Sequence, residues 1–114
     1  MKHKATNLYR VALTTCGSDE DAARLARELV ARRLAACVNI VPGVRSFYWW
    51  GGSVQEDGEL LLVMKTCVEV LHELEAAVQE LHSYDVPEFV VLPISEGSAA
   101  YLRWIDDNVR PIGA

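Results

Sequence analysis

Two apolar runs, Cys37–Trp50 and Ser53–Thr66, flank Gly51-Gly52 and dominate the hydrophobic pattern of the chain. A Gly-Gly link between runs rich in Val, Ile and aromatics predicts a hairpin, because glycine accepts the positive φ of a tight turn. Taken as one strand, the first run spans about 45 Å at about 3.3 Å per residue. A compact chain of this length has a radius of gyration of about 13 Å, so the hairpin should overhang its own globule. Its outer end, Phe47-Tyr48-Trp49-Trp50, is apolar on both faces, since successive strand residues alternate sides. Such an end asks for a partner, and another copy of the chain is the simplest one. Pro42-Gly43 predicts an edge position or a bulge in the first arm, and Asp57-Gly58 is a candidate turn in the second. The competing reading is a set of shorter strands joined by loops.

The flanking patterns supply the other elements. Leu8–Thr15 is a short β-rich run, after which Ser18 offers an N-cap and Asp19, Glu20 and Asp21 suit the positive end of a helix. Ala22, Leu25, Ala26, Leu29 and Val30 continue at helical spacing. Thr66 and Glu69 match a capping box, followed by the stripe Leu71, Leu74, Val78 and Leu81, with the helix ending near His82-Ser83. Glu88–Ser95 reads as the last strand, and a third helix runs through Leu102, Ile105 and Val109 to a stop at Pro111. The order β-α-β-β-α-β-α predicts an α+β, ferredoxin-like sandwich with an extra C-terminal helix, placed against the open sheet or a neighbour.

Composition narrows the function classes. The 114 residues make one domain, 1–114, with a core of about 8–109, and the 51% hydrophobic content is enough for a core without staples. A formal charge of −5 without a Lys/Arg cluster argues against nucleic acid. Three cysteines with no CxxC spacing fit a reducing compartment better than a disulfide framework. The opening residues lack the apolar core of a signal peptide, and no run reaches the roughly 20 residues of a membrane span. The expectation is a cytoplasmic chain with neither membrane nor nucleic-acid partners.

Candidate chemistry is sparse. No G-x-S-x-G, phosphate loop or H-E-x-x-H is present, so no enzyme is expected. Cys16 stands at a strand end before a helix N-terminus, where a thiol pKa can fall, though a buried turn residue is the plainer reading. Cys37 and Cys67 read as core fillers, which leaves Cys16 as the thiol most open to reagents. Among the histidines, His3 and His72 read as exposed, whereas His82 precedes Tyr84, Pro87 and Glu88 in a constrained connection. It is either a solvated loop residue or a metal or anion ligand. Lys65 ends an apolar run and either snorkels to water or projects into a cleft. Trp49 and Trp50 suit an interface better than a stacking site for a flat ligand.

Several stretches together resemble the CutA family of divalent-cation tolerance proteins. They are Leu34–Gly43 (LAACVNIVPG), Tyr48-Trp49-Trp50-x-Gly52, Val63-Met64-Lys65-Thr66, His82-x-Tyr84-x-x-Pro87-Glu88 and Tyr101–Ile105. The resemblance covers Leu8 to Val109. It implies a ferredoxin-like protomer, a homotrimer joined by extended strands, and a link to copper and divalent-metal tolerance. The family's metal ligands, a strand-end cysteine and a histidine pair, correspond here to Thr15 with Cys16 one place later, and to Leu81-His82. His82 and Cys16 are therefore the metal candidates, expected to hold Cu or another divalent cation weakly and without any role in folding. The resemblance also assigns Trp50, Lys65, Tyr84 and Glu88 to a small-ligand cleft between subunits. The alternative function class is a trimeric small-molecule sensor similar to PII signalling proteins, carried by fold analogy alone.

Overall fold

The computed structural model describes residues 8–110. In chain order the elements are β1 (Tyr9–Cys16), α1 (Asp19–Ala31), β2 (Cys37–Trp50), β3 (Ser53–Cys67), α2 (Leu71–Leu81), β4 (Val90–Pro93) and α3 (Ala99–Asn108). The strands form one antiparallel sheet in the order β2-β3-β1-β4. This is the expected βαββαβ arrangement with a third helix added. The expected stop at Pro111 and the exposed His3 lie outside the described residues.

Gly51 and Gly52 both adopt positive φ, 64° and 84°, and close the β2–β3 hairpin in two residues. The ladder runs from Cys37–Lys65 to Trp50–Ser53 and is displaced once, between Val41 and Val44. There Gly43 takes φ 78°, so the Pro42-Gly43 break is a bulge within one long strand. Asp57 and Gly58 stay in the ladder opposite Ser46 and Arg45, and the candidate turn is not made. The chain measures 51 × 29 × 21 Å with a radius of gyration of 15.0 Å, above the roughly 13 Å of a compact fold. The hairpin overhangs as its length required.

One sheet face carries the core. Ala12, Thr14 and Cys16 of β1 and Leu62, Met64 and Thr66 of β3 are buried on it, together with Leu25 and Leu29 of α1 and Leu74 and Val78 of α2. Each such leucine contributes about 1.5–3 kcal/mol by leaving water. Ser18 caps α1 by accepting from the Asp21 amide at 3.1 Å. Arg33 ends it with φ 64°, and its guanidinium donates to the Asp107 and Asn108 carbonyls at the end of α3. Helix α3 crosses the Tyr9–Cys67 end of the opposite sheet face, where the Tyr9 hydroxyl donates to Asp106 Oδ2 at 2.5 Å. Burial first, and then that carboxylate, push the phenol up to about 12.

Three expectations need correction. The Thr66–Glu69 capping box does not form, because β3 extends to Cys67 and the Thr66 hydroxyl donates to the Leu34 carbonyl at 2.8 Å. Helix α2 follows a 3-10 turn, Val68–Val70, and has no side-chain cap. The last strand is only Val90–Pro93, shorter than Glu88–Ser95, with prolines 87 and 93 setting its limits. Cys37 is no core filler, since it sits half-exposed beside Asn39, whereas Cys16 is 1% exposed and Cys67 is buried.

Two predictions follow from this packing. Tyr9→Phe removes the tether of α3 and should lower stability in a denaturant titration by about 1 kcal/mol; an unchanged midpoint would show that the bond holds nothing. Native thiol labelling should begin at Cys37 and reach Cys16 and Cys67 only on unfolding, because burial pushes both of those thiols up. Labelling of Cys16 first would contradict the burial described.

Candidate functional site

The end of β1 and the end of α2 meet at His82. Its extended backbone (φ −75°, ψ 145°) turns the chain off the helix, and the Tyr84 amide donates to its Nδ1 at 3.0 Å. With Nδ1 accepting, the ring proton resides on Nε2, which donates to the Thr15 carbonyl at 2.7 Å. The same Nε2 is 3.8 Å from Cys16 Sγ. The two metal candidates are thus neighbours. The Cys16 thiol is pushed up to about 11, chiefly by burial and then by the Asp21 charge, with Arg24 opposing. It is a thiol at neutral pH, not a thiolate.

A soft or borderline ion needs a thiolate and a free imidazole lone pair. Both ring nitrogens of His82 are already engaged, and the sulfur keeps its proton. Among the described residues no three His, Cys, Asp or Glu side chains come together as a metal-holding group. Cys16 and His82 are neighbouring donors, and each has a proton or hydrogen bond to give up before an ion could take its place.

Beside this pair opens a cleft of about 870 Å³. Thr15 and Tyr84 stand at its inner end, Ser46, Tyr48 and Trp50 line it from β2, and Asp57 and Glu59 line it from β3. The loop Asp85–Glu88 closes one side. Phe47 also borders the cleft, and the bulge decides which aromatics face its two acids. Before it the odd residues of β2 share a face with odd residues of β3, as in Cys37–Lys65 and Val41–Leu61. After it the even residues do, so Tyr48 and Trp50 project on the side of Asp57 and Glu59.

Two phenols tie the walls together. Tyr84 donates to Glu59 Oε2 at 2.8 Å and Tyr48 donates to Asp57. The Tyr84 phenol is held above its ordinary range, by burial first and then by Glu59, and Tyr48 is raised chiefly by its bond to Asp57. Gly17 permits the closure, since a Cβ there would come within 2.9 Å of the Tyr84 hydroxyl. The tilted rings of His82 and Tyr84 lie 4.7 Å apart, joining the buried pair to the cleft wall.

Of the sequence candidates, Trp50, Tyr84 and Glu88 line this cleft. Lys65 does not; it lies opposite Val11 and Cys37, and its ammonium donates to Asn39 Oδ1. Asp57 and Glu59 went unnoticed in the sequence. Their period-2 spacing on one strand was the available signal, masked by the Asp-Gly turn reading.

The family described as CutA1 divalent ion tolerance protein matches residues 10–108. The divalent-cation tolerance protein CutA of Thermus thermophilus is 52% identical over 101 residues, which cover 89% of this chain and 98% of that protein. The chloroplastic CutA 1 protein of Oryza sativa is 46% identical over 100 residues, covering 88% of this chain but only 56% of the rice protein. Among solved structures, CutA1 from Oryza sativa superposes with a TM-score of 0.89 at 45% identity, covering 92% of this chain and 96% of that one. CutA from Synechococcus elongatus superposes with a TM-score of 0.91 at 34% identity, covering 96% of each chain. A match that runs through β1, the long hairpin and α3 at these identities settles the assignment: the chain belongs to the CutA family of divalent-cation tolerance proteins.

Proposed function

We propose that this chain serves divalent-cation tolerance as a cytoplasmic homotrimer that binds Cu or another divalent cation weakly, with no metal needed for folding. The observation that carries the assembly is uncovered apolar surface. Beyond α3, the second sheet face presents Val11, Leu13, Leu61 and Val63 half-buried, and Val41, Val90 and Leu92 exposed. The hairpin continues it outward through Tyr48 and Trp50, and its other face is apolar too, with Phe47 59%, Trp49 70% and Val54 65% exposed. A surface of this kind supports burial against other copies, and the threefold stoichiometry rests on the family resemblance. Three free cysteines support a reducing compartment.

The chemistry of the Cys16–His82 pair supports weak metal binding only. An ion there has to displace a thiol proton and the histidine's hydrogen bonds. The nucleotide-sensing alternative fits the cleft poorly, because Asp57, Glu59, Asp85 and Glu88 line it without any lysine or arginine. Phosphates would meet repulsion.

Native mass spectrometry should show a trimer at micromolar concentration, and a stable monomer would sink the assembly. Phe47→Glu should dissociate the oligomer and lower its stability, as expected where folding and association are linked; a well-folded trimeric variant would argue against burial of that ring. In calorimetric titration with Cu(II), binding should be micromolar or weaker, lost in His82→Ala, and removable with the trimer intact. Equal Cu(II) binding by His82→Ala would remove His82 from the metal reading.

A further inference from the structure

Away from the cleft and the Cys16–His82 pair, one thiol has an amine beside it. Cys37 of β2 and Lys65 of β3 are direct partners in the hairpin ladder, so their side chains leave the sheet on the same face. Directly opposed residues of antiparallel strands have Cβ atoms about 4.5–5.5 Å apart. The Asn39 side chain, next along that face, ties the two together. Its Oδ1 accepts from Cys37 Sγ at 3.8 Å and from the Lys65 ammonium. Two donors on one oxygen lie no more than about 7 Å from each other, and the flexible lysine stem spans what remains.

The pairing is selective. Lys65 is the only lysine among the described residues, and no carboxylate there forms an ion pair with it. A neutral amide offers the ammonium no counter-charge, so ion pairing does not account for the arrangement. Cys16 and Cys67 are buried, and Cys16 has an imidazole beside it in place of an amine, whereas Cys37 is half-buried. Tyr101 of α3 lies near enough for Cys37 to act on it, its phenol being raised by burial first and then by that sulfur. Peroxide converts a cysteine thiolate to sulfenic acid, whose sulfur condenses with a nearby thiol or nitrogen. An amine held beside it competes at the high effective concentration of an intramolecular reaction. Both reacting atoms belong to one chain, so packing of copies on the open sheet face leaves them paired, and a peroxide is little larger than water.

We propose that Cys37 and Lys65 form a peroxide-responsive covalent bridge, a reversible S–N link between β2 and β3. In the first step the Cys37 thiolate attacks one peroxide oxygen and the O–O bond breaks. Sulfur gives up two electrons and becomes sulfenic acid, while the released hydroxide takes the thiol's proton and leaves as water. In the second step the Lys65 ammonium passes one proton to the sulfenic hydroxyl, which departs as water as nitrogen bonds to sulfur. A second proton goes to solvent, and no further oxidant is consumed. Two cellular thiols reverse the link: the first takes the sulfur as a mixed disulfide and frees the amine, and the second restores the Cys37 thiol. The bridge pins the start of the hairpin and replaces the Lys65 ammonium by a neutral nitrogen.

Treatment of the full chain with hydrogen peroxide, followed by intact-mass measurement and peptide mapping, tests it. The expected product is lighter by about 2 Da, the two hydrogens lost, with the peptides carrying Cys37 and Lys65 joined. Dithiothreitol should restore the parent mass. Unfolding in urea before the peroxide should lower the bridge yield at least about tenfold, because the proximity is gone. In Lys65→Arg, which keeps the charge, the bridge should vanish and the Cys37 sulfenic acid should become trappable by dimedone. Should that variant fail to fold, dimethylation of the lysines of the folded parent blocks the same nitrogen without a substitution and should give the same result. The proposal is overturned if Cys37 stays reduced in the intact protein, or if it joins Lys2 or Lys4 instead. Equal dimedone trapping with and without the Lys65 amine overturns it too. The same mass loss persisting in Lys65→Arg would mark a disulfide and have the same effect.

Discussion

The register between β1 and β3 determines which side of the sheet every central residue occupies. With Tyr9 opposite Cys67 and Cys16 opposite Leu60, Ala12, Met64, Thr14 and Leu62 all face α1 and α2. Val11, Leu13, Leu61 and Val63 then face the other way. A slip of one residue would send the apolar set to water and Lys65 into the core. The same register sets the Thr15 carbonyl beside His82 and Glu59 beside Tyr84. Core, open face and cleft are therefore consequences of one pairing.

The cleft depends on a second, smaller device. One extra residue at the bulge reverses the facing of β2 beyond Val41 while β3 keeps its own alternation. Polar and aromatic side chains at the hairpin's outer half thereby share a wall with two acids of the same strand pair. His82 completes the arrangement from the opposite side by fixing the exit of α2 through both ring nitrogens. Its value to this fold as described is positional, and that role competes with metal ligation for the same two atoms.

Much of this was legible in the residues. The hairpin arms were readable to within a residue because two runs rich in Val, Ile and aromatics and the Gly-Gly turn between them agree with each other. Helix α1 was equally clear from Ser18 and its acidic first turn. Thr66 misled because a local capping pattern gave no sign of the Leu34 carbonyl, far away in sequence, that takes its hydroxyl. The four-residue β4 was overextended because apolar character continues through Phe89 and Ile94, which pack on the core. Lys65 stands apart from the cleft within one chain, because its neighbours on the sheet, Cys37 and Val11, are assigned only by register. Glu88 was named in the sequence, but Asp57 and Glu59 join it as a set only when loop and hairpin are brought together.

The tether between Tyr9 and Asp106 joins residues 97 positions apart, and that separation carries a meaning in time. During synthesis the hairpin needs only its own two arms and a two-residue link, so it can close within microseconds of emerging. The helix that covers the Tyr9 end of the sheet is made last, about seconds later at ordinary translation rates. Through that interval the nascent chain shows an aromatic hairpin and an incompletely covered sheet at once. The order of manufacture thus leaves apolar surface open until α3 folds down over the Tyr9 end of the sheet.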